Sequence, residues 1–224
     1  MMKARIAEVF DSVQGEGIYL GEKQIFVRFF GCNLNCVYCD TKLDRFMEYE
    51  PDELVEEIKL YRDKYHSISL TGGEPLLFKD FLREVLKLTA KCGHKHYLET
   101  NGTLVPELEE LIGHIDFVAM DLKFPSSSGM GNLWDTHRKF LKVAARKEVF
   151  LKAIICEGTK EEDLKEATNL IKEISPSSVL VLQPNSYEDP IFLQAKLSKY
   201  KEICKQAGVV ACVIPQIHKL TGLK

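Results

Sequence analysis

The sequence lacks long apolar runs and runs of like charge. No stretch approaches the roughly 18 consecutive apolar residues that a membrane-spanning helix needs, and residues 1–5 carry no apolar core of a secretory signal. The 30 basic and 33 acidic residues are spread along the chain and give a formal net charge of -3, which argues against a nucleic-acid-binding arm or a membrane patch. We therefore expect a cytoplasmic protein that acts on a small molecule, with no nucleic-acid or membrane partner.

Internal repeats, low-complexity tracts and any recognisable boundary between domains are also missing. The 224 residues, of which 45% are hydrophobic, are enough for one domain with a sizeable core. Residues 1–224 are therefore predicted to form a single domain.

The cysteine spacing argues against a secreted disulfide framework. The seven cysteines are an odd number, and Cys32, Cys36 and Cys39 fall within eight positions. Such crowding favours a metal site in a reducing compartment. The remaining four lie among apolar neighbours and are expected to be buried apolar side chains: Cys92, Cys156, Cys204 and Cys212.

Strand and helix patterns alternate along the chain. Apolar runs predict buried strands at 24–30, 67–70, 96–98, 117–120, 149–154, 179–182 and 209–214. Apolar residues at helical spacing predict helices over 51–65, 81–92, 164–174 and 192–204. The alternation predicts an α/β fold with a mostly parallel sheet. The Ser- and Gly-rich segment 126–132 is predicted to be a connector or a flexible lid.

The cysteine triplet has the spacing CxxxCxxC on one loop after the first predicted strand. Three thiolates can bind three irons of a 4Fe-4S cluster and leave the fourth iron open. A zinc site would normally add a fourth Cys or His, and the candidates, such as His66 or His218, are distant in sequence. A thioredoxin-like motif would leave Cys32 without a role. The iron-sulfur interpretation is therefore favoured.

Together with Tyr38, the triplet and the motif Thr71-Gly72-Gly73-Glu74-Pro75 resemble the radical S-adenosylmethionine superfamily. The resemblance implies an incomplete TIM-like barrel, a 4Fe-4S cluster on the three cysteines, and cleavage of S-adenosylmethionine to a 5'-deoxyadenosyl radical. It also implies contacts with S-adenosylmethionine from Tyr38, Cys39, Asp40, Gly73, Glu74, Glu99, Asp121, Leu122 and Lys123. The carboxylate of Glu74 would receive the ammonium group. Tyr38 also fits a packing residue, and the last four positions also fit ordinary polar strand ends.

A second polar motif, Gln14-Gly15-Glu16-Gly17, precedes the first predicted strand. Its glycines free the backbone, while Gln14 and Glu16 can bond the edge of a heterocycle. Arg28 lies inside an apolar strand, where its charge would be costly to bury without a carboxylate partner. The two features together predict a substrate with a ring and a carboxylate, although the motif alone also fits a turn.

With these features the chain resembles the 7-carboxy-7-deazaguanine synthase family over nearly its whole length. Further matching segments are Asp40-Thr41, Glu99-Thr100-Asn101-Gly102 and Pro215-Gln216-Ile217-His218-Lys219. The resemblance implies a radical ring contraction of 6-carboxy-5,6,7,8-tetrahydropterin with loss of ammonia, on the route to queuosine and related nucleosides. It implies pterin contacts from Val13, Gln14, Gly15, Glu16, Arg28 and Thr71.

The resemblance also implies a Mg²⁺ ion bound by Thr41 together with the substrate, because a single hydroxyl is a poor magnesium site. The alternative is that Thr41 bonds its own backbone. A homodimer and an electron donor such as flavodoxin or ferredoxin are further implications. The role of His218 and of the tail 220–224 stays open.

Two other functions stay open at this point. An enzyme that installs a glycyl radical on a partner protein would share the CxxxCxxC and GGEP-like features, but it leaves Gln14-Gly15-Glu16-Gly17 and Arg28 unexplained. An iron-sulfur electron-transfer protein would need four protein ligands and would bind no S-adenosylmethionine.

Overall fold

The computed structural model describes residues 2–41 and 43–222, apart from the side chain of Leu220. Leu223 and Lys224, in the tail whose role stays open, lie outside the described residues. Within these ranges the strands are β1 (Ala4–Val13), β2 (Lys23–Phe29), β3 (Met47–Tyr49), β4 (Ser67–Gly72), β5 (His96–Thr100), β6 (Phe117–Asp121), β7 (Glu148–Ile155), β8 (Leu180–Pro184) and β9 (Ala211–Val213).

Helices connect most of these strands. The described α-helices are α1 (Pro51–Ile58), α2 (Lys79–Lys91), α3 (Val105–Leu111), α4 (Pro125–Ser128), α5 (Trp134–Ala144), α6 (Glu161–Ile174), α7 (Pro190–Gln206) and α8 (Ile217–Thr221). Two short 3₁₀ helices span Pro75–Phe78 and Ile112–His114. Local sequence explains where several begin. Pro51 occupies the first turn of α1, behind a capping box between Glu50 and Glu53, and Asp189 caps α7 by accepting the N–H of Ile191.

The strands form one sheet in the order β3, β1, β2, β4, β5, β6, β7, β8, β9. Strands β2 and β4 to β9 run parallel, whereas β1 pairs antiparallel with both β2 and β3. Within the described ranges β3 and β9 stay at opposite edges, so the sheet does not close into a complete barrel. The predicted α/β fold with a mostly parallel sheet is confirmed.

The two faces of the sheet have different chemistry. One face packs against the helices in the main apolar core, which includes Phe29, Phe81 and Phe140. The other face carries a small separate cluster of Tyr97, Phe117, Ala119, Phe150 and Val181. Because side chains alternate along a strand, the residue two positions further along each strand shares that second face. These residues are Glu99, Asp121, Lys152 and Gln183, so the face turns from apolar to polar toward the carboxyl ends of the strands.

The structure differs from the predicted elements mainly at sheet edges and short helices. β1 and β3 were not predicted, because β1 buries Ala4, Ile6 and Phe10 but carries charged residues between them, which resembles a polar stretch. The helices α3, α4, α5 and α8 were also not predicted, and α1 ends at Ile58 rather than near residue 65.

Segment 126–132, predicted as a connector or a flexible lid, starts as a packed connector: α4 buries Ser127 and Ser128, and the hydroxyl of Ser126 donates to Asp163 on α6. One expectation about a cysteine was wrong. Cys92 is exposed at the end of α2 rather than buried, whereas Cys156 and Cys204 are buried as expected and Cys212 is half-buried. No described helix is long and apolar enough to cross a membrane.

Candidate active site

A cavity of about 480 Å³ opens at the carboxyl ends of the parallel strands, within the usual range of ligand sites. Most of the predicted site residues line it, although they come from distant parts of the chain. They are Val13, Gln14, Gly15, Glu16, Arg28, Cys32, Cys36, Tyr38, Cys39, Asp40, Thr41, Thr71, Gly73, Glu99, Asp121 and Lys123. The sheet therefore gathers both polar motifs and the cysteine loop around one space.

The cysteine loop presents three free thiols to this cavity. Cys32 and Cys39 are exposed, Cys36 is half-buried, and the N–H of Val37 anchors the loop on the carbonyl of Ser128 at 3.0 Å. Among the described residues, no three His, Cys, Asp or Glu side chains form a group that could hold a single metal ion. A 4Fe-4S cube instead binds each thiolate on a different iron, so its ligands surround a volume. Three soft thiols on one cavity wall fit that group.

Two glycines place the GGEP motif directly against the start of the cysteine loop. The N–H of Gly73 donates to the carbonyl of Phe29 at 2.9 Å, and the N–H of Glu74 donates to the carbonyl of Gly31 at 2.8 Å. A Cβ atom at Gly73 would lie 1.9 Å from that Gly31 oxygen, so no side chain fits there. Gly72 has a φ of 108°, a conformation that favours glycine. The glycines therefore serve backbone packing beside the cysteines.

Glu74 and Leu122, which the sequence assigned to S-adenosylmethionine contacts, are not among the residues that line the cavity. The carboxylate of Glu74 is fully buried and accepts the hydroxyl of Thr100 at 3.0 Å and the backbone N–H groups of Asn101 and Leu76 at 2.8 and 3.2 Å. Burial nevertheless raises the pKa of Glu74 to about 7. Leu122 packs in the apolar core on the helix side of the sheet, because it alternates with Asp121 and Lys123.

Charged side chains converge on the polar end of the inner face. Nζ of Lys123 lies 2.9 Å from Asp121, and Nζ of Lys152 lies 3.4 Å from Asp121 and 2.7 Å from Glu16. Burial opposes ionisation of Asp121, but Lys123 and Lys152 outweigh it and hold the pKa of Asp121 below its usual value. Lys123 also lies 5.6 Å from the ring centre of Tyr38, whose buried hydroxyl has no hydrogen-bond partner.

The Gln14-Gly15-Glu16-Gly17 motif lies in the loop after β1 and is tied to several strand ends. Nε2 of Gln14 donates to Glu99 and to Gln24, each at 3.0 Å, and the hydroxyl of Thr71 donates to the other oxygen of Glu99 at 2.8 Å. Burial raises the pKa of Glu99, and the nearby Lys152 acts in the opposite direction. Gln14 and Thr71 therefore share the carboxylate of Glu99 as a common acceptor.

Arg28 has the carboxylate partner that its position in an apolar strand requires. Its Nε lies 3.4 Å from Glu8, across the β1–β2 pair, and its guanidinium lies 5.5 Å from the ring centre of Phe10. Nε itself is buried and makes no hydrogen bond. Arg28, Phe10 and the stacked ring of Phe26 form an aromatic and cationic part of the cavity wall.

Residues 216–218, near the C-terminus, pack against the loop of Gln14-Gly15-Glu16-Gly17. The N–H of Ile217 donates to the carbonyl of Gly15 at 3.0 Å, and Nε2 of Gln216 donates to Glu16 at 2.7 Å and to Asp40 at 2.9 Å. A Cβ atom at Gly15 would lie 2.6 Å from the ring of His218, which explains the glycine. His218 lines the cavity, which the sequence had left open.

Further cavity residues received no role from the sequence. Asn101 and Gln216 lay in matching segments without an assignment, and Lys152, Gln183 and Asn185 lay outside every motif. A signal existed for Lys152, which is the only charged residue within the apolar run 149–154. Gln183 and Asn185 are neutral polar residues after a predicted strand and carry no such signal.

Comparison with known proteins gives consistent matches. The family model of the radical SAM superfamily matches residues 26–191. The chain is 34% identical to the 7-carboxy-7-deazaguanine synthase of Geobacter sulfurreducens, covering 98% of this chain and 97% of that protein. It is also 34% identical to the synthase of Methanothermobacter thermautotrophicus, covering 100% and 99% of the two chains.

Solved structures share the fold at lower identity. The crystal structure of QueE from Escherichia coli superposes with a TM-score of 0.66 at 20% identity, over 95% of this chain and 94% of that one. Streptococcus suis SuiB, crystallised with S-adenosylmethionine, gives a TM-score of 0.61 at 17% identity, over 82% of this chain and 44% of that one.

Proposed function

Since the chain belongs to the radical SAM superfamily and, within it, to the 7-carboxy-7-deazaguanine synthase family, we propose that its cavity holds a pterin substrate beside a cluster-bound S-adenosylmethionine. The chain is a radical SAM lyase, and the reaction is the ring contraction of 6-carboxy-5,6,7,8-tetrahydropterin to 7-carboxy-7-deazaguanine with loss of ammonia. The observation that carries the proposed arrangement is that the cysteine loop and the Gln14-Gly15-Glu16-Gly17 loop line the same cavity.

We assign the cluster to Cys32, Cys36 and Cys39. A 4Fe-4S cluster held by these cysteines, together with S-adenosylmethionine, would supply a 5'-deoxyadenosyl radical for abstraction of the hydrogen at C6 of the substrate. The role of the protein is to place that carbon close by and to exclude water. For S-adenosylmethionine we propose Tyr38, Asp40, Gly73, Glu99, Asp121 and Lys123 as contacts. The buried Glu74 is proposed to brace the loop after β5 instead, because its carboxylate already has three donors.

The charges of the cavity suit an aminopterin that bears a carboxylate. The N–H groups of the pterin ring need acceptors, and Glu16 presents a carboxylate, while Gln14 presents an amide beside it. Arg28 is proposed to bind the substrate carboxylate. The side chain is about 30% exposed and has a buried Nε without a hydrogen bond. Val13, Gly15 and Thr71 complete the proposed pterin contacts.

Magnesium is proposed to bind between Thr41 and substrate oxygens. Thr41 lines the cavity next to Asp40, and a hard cation takes oxygen ligands. Because Thr41 offers one hydroxyl, the ion should bind with the substrate and not before it. Omission of Mg²⁺ is then expected to lower product formation without lowering iron content.

The remaining assignments rest on the family. We propose that residues 1–224 act as one radical SAM domain, that the enzyme is a cytoplasmic homodimer, and that flavodoxin or ferredoxin supplies the electron. Seven free cysteines fit a reducing compartment. The product would enter the synthesis of queuosine and related tRNA nucleosides.

The test is an anaerobic assay of reconstituted protein with dithionite, S-adenosylmethionine, Mg²⁺ and 6-carboxytetrahydropterin. We expect 5'-deoxyadenosine and the deazapurine to form together, as measured by mass spectrometry. Deoxyadenosine without the deazapurine would contradict the pterin assignment. Neither product from protein with an intact cluster would favour a role in electron transfer only.

A further inference from the structure

Asn101 connects the end of β5 to the first cysteine of the triplet. Its amide nitrogen Nδ2 lies 3.7 Å from Sγ of Cys32 and 2.8 Å from Oδ1 of Asn33. An amide nitrogen carries two hydrogens, so it can serve both acceptors. The backbone N–H of Leu34 also points to Cys32 Sγ, at 3.4 Å. Among the hydrogen bonds of the described residues, none reaches Sγ of Cys36 or Cys39.

The orientation of the Asn101 amide is fixed by its other end. Oδ1 accepts the backbone N–H of Thr103 at 3.1 Å and the hydroxyl of Thr103 at 2.5 Å. A backbone N–H can only donate, so the atom that faces it is the amide oxygen. The nitrogen therefore faces the cysteine.

Asn33 and Thr103 close the arrangement into a ring. Nδ2 of Asn33 donates to the hydroxyl oxygen of Thr103 at 2.9 Å, while Oδ1 of Asn33 accepts one hydrogen of Asn101. Each group in this ring has a partner of the correct kind. One N–H of Asn101 is left, and it is directed at Cys32.

The backbone of Asn101 is held equally firmly. Its N–H donates to the buried carboxylate of Glu74 at 2.8 Å, and its carbonyl accepts Nε2 of the buried His137 at 3.3 Å. Asn101 itself is only 6% exposed. Glu74 and His137 therefore keep the residue at a fixed distance from the cysteine loop.

We propose that Asn101 tunes the reduction potential of the cluster by donating its amide N–H to the thiolate of Cys32. The proposal rests on the assignment of the cluster to the three cysteines. Reduction adds negative charge to the cluster and its sulfur ligands, so a donor on a thiolate stabilises the reduced form and raises the potential. Asn101 is thus a positioning residue that acts through Cys32 and does not touch the substrate.

The test compares Asn101→Leu and Asn101→Asp with the wild-type protein. All three are reconstituted, and the midpoint potential of the cluster is measured by a redox titration followed by electron paramagnetic resonance, without S-adenosylmethionine or pterin. We expect the potential to shift to more negative values in the order wild type, Asn101→Leu, Asn101→Asp. Leucine removes the donor, whereas aspartate keeps the Thr103 contacts and places a carboxylate oxygen against the sulfur. Equal potentials in intact clusters would overturn the proposal.

A second pair of variants covers the case in which the Asn101 variants hold no cluster. Thr103→Val removes the hydroxyl that fixes the amide and should shift the potential in the same direction by a smaller amount. Thr103→Ser keeps the hydroxyl and should restore the wild-type value, which a purely steric role of Thr103 would not predict. Wild-type potential in Thr103→Val would overturn the proposal.

Asn35→Leu is the matched control, since Asn35 is an exposed amide in the same cysteine loop. Its potential should equal that of the wild type, and a shift as large as that of Asn101→Leu would overturn the proposal. Wild-type protein that binds no iron would contradict the cluster assignment itself. An intact cluster that does not respond at Asn101 would contradict only the present inference.

Discussion

The nitrogen Nζ of Lys152 lies 2.7 Å from Oε2 of Glu16, although 136 positions separate the two residues. Lys152 is 8% exposed and also pairs with Asp121. Lys152 thus joins the loop of Gln14-Gly15-Glu16-Gly17, which is proposed to bind the pterin, to Asp121 at the end of β6, which is proposed to contact S-adenosylmethionine. Removal of Lys152 would leave Glu16 without its cation and Asp121 with Lys123 alone.

Lys152→Met is expected to lower deazapurine formation by a factor of at least about ten, because breaking a buried pair costs several kcal/mol. The pKa of Glu16 and of Asp121 should rise, since Lys152 is one cause of their lowering. The measurement is kcat/KM for the pterin at fixed iron content. Lys142→Met, at an exposed position on α5, is the control and should match the wild type. An unchanged rate in Lys152→Met would contradict the role of these ion pairs.

Cys32→Ala should abolish the 4Fe-4S cluster, because one iron of the cube loses its protein ligand. The measurement is iron and sulfide content together with visible absorbance after anaerobic reconstitution. Cys92→Ala removes an exposed thiol outside the cavity and should keep the full cluster. A full cluster and activity in Cys32→Ala would show that the ligands are assigned wrongly.

Arg28→Ala should weaken pterin binding and leave reductive cleavage of S-adenosylmethionine possible. A charged hydrogen bond contributes about 1.5–3 kcal/mol, so KM for the pterin should rise by about 10- to 100-fold. Both 5'-deoxyadenosine and deazapurine are quantified over a range of pterin concentrations. Arg83→Ala, which removes a surface ion pair of α2, should leave KM unchanged. A normal KM in Arg28→Ala would place the substrate carboxylate elsewhere.

His137 should make the protein sensitive to acid. Burial lowers the pKa of His137 to about 4, below its value in the unfolded chain. The neutral ring is therefore favoured in the folded state, and the stability it provides is complete above about pH 6.5 and is lost as the pH falls toward 4. The loss is on the order of 3 kcal/mol.

His137→Gln removes this titration and keeps a donor for the carbonyl of Asn101. Urea unfolding of both proteins between pH 7 and pH 4 checks the prediction, and the free energy of unfolding of the variant should decline less. Parallel curves would show that His137 does not titrate in this range.

Local patterns determined much of this protein. The parallel strands β2 and β4 to β9 follow from apolar runs of three to seven residues. The cysteine triplet and the GGEP motif follow predicted strands, and the carboxyl ends of parallel strands share one edge of the sheet. The charge of Arg28 indicated a carboxylate partner, and the structure supplies Glu8. Strand β1, which lies between β3 and β2, was missed because charged residues stand between its buried apolar residues.

Only the tertiary structure decided which polar groups face the cavity. Sequence spacing placed Glu74 beside the cysteines, but its carboxylate points inward, where it accepts from Thr100 and Asn101 at the end of β5 and from the N–H of Leu76. Lys152, Asn101 and Gln216 reach the site through contacts with residues 69 to 200 positions away. Contacts between residues so far apart in the sequence depend on how the helices and strands pack, and no local sequence pattern encodes that packing. The local patterns therefore indicated most of the parallel strands and the chemistry of the site, whereas the packing brought the partners together.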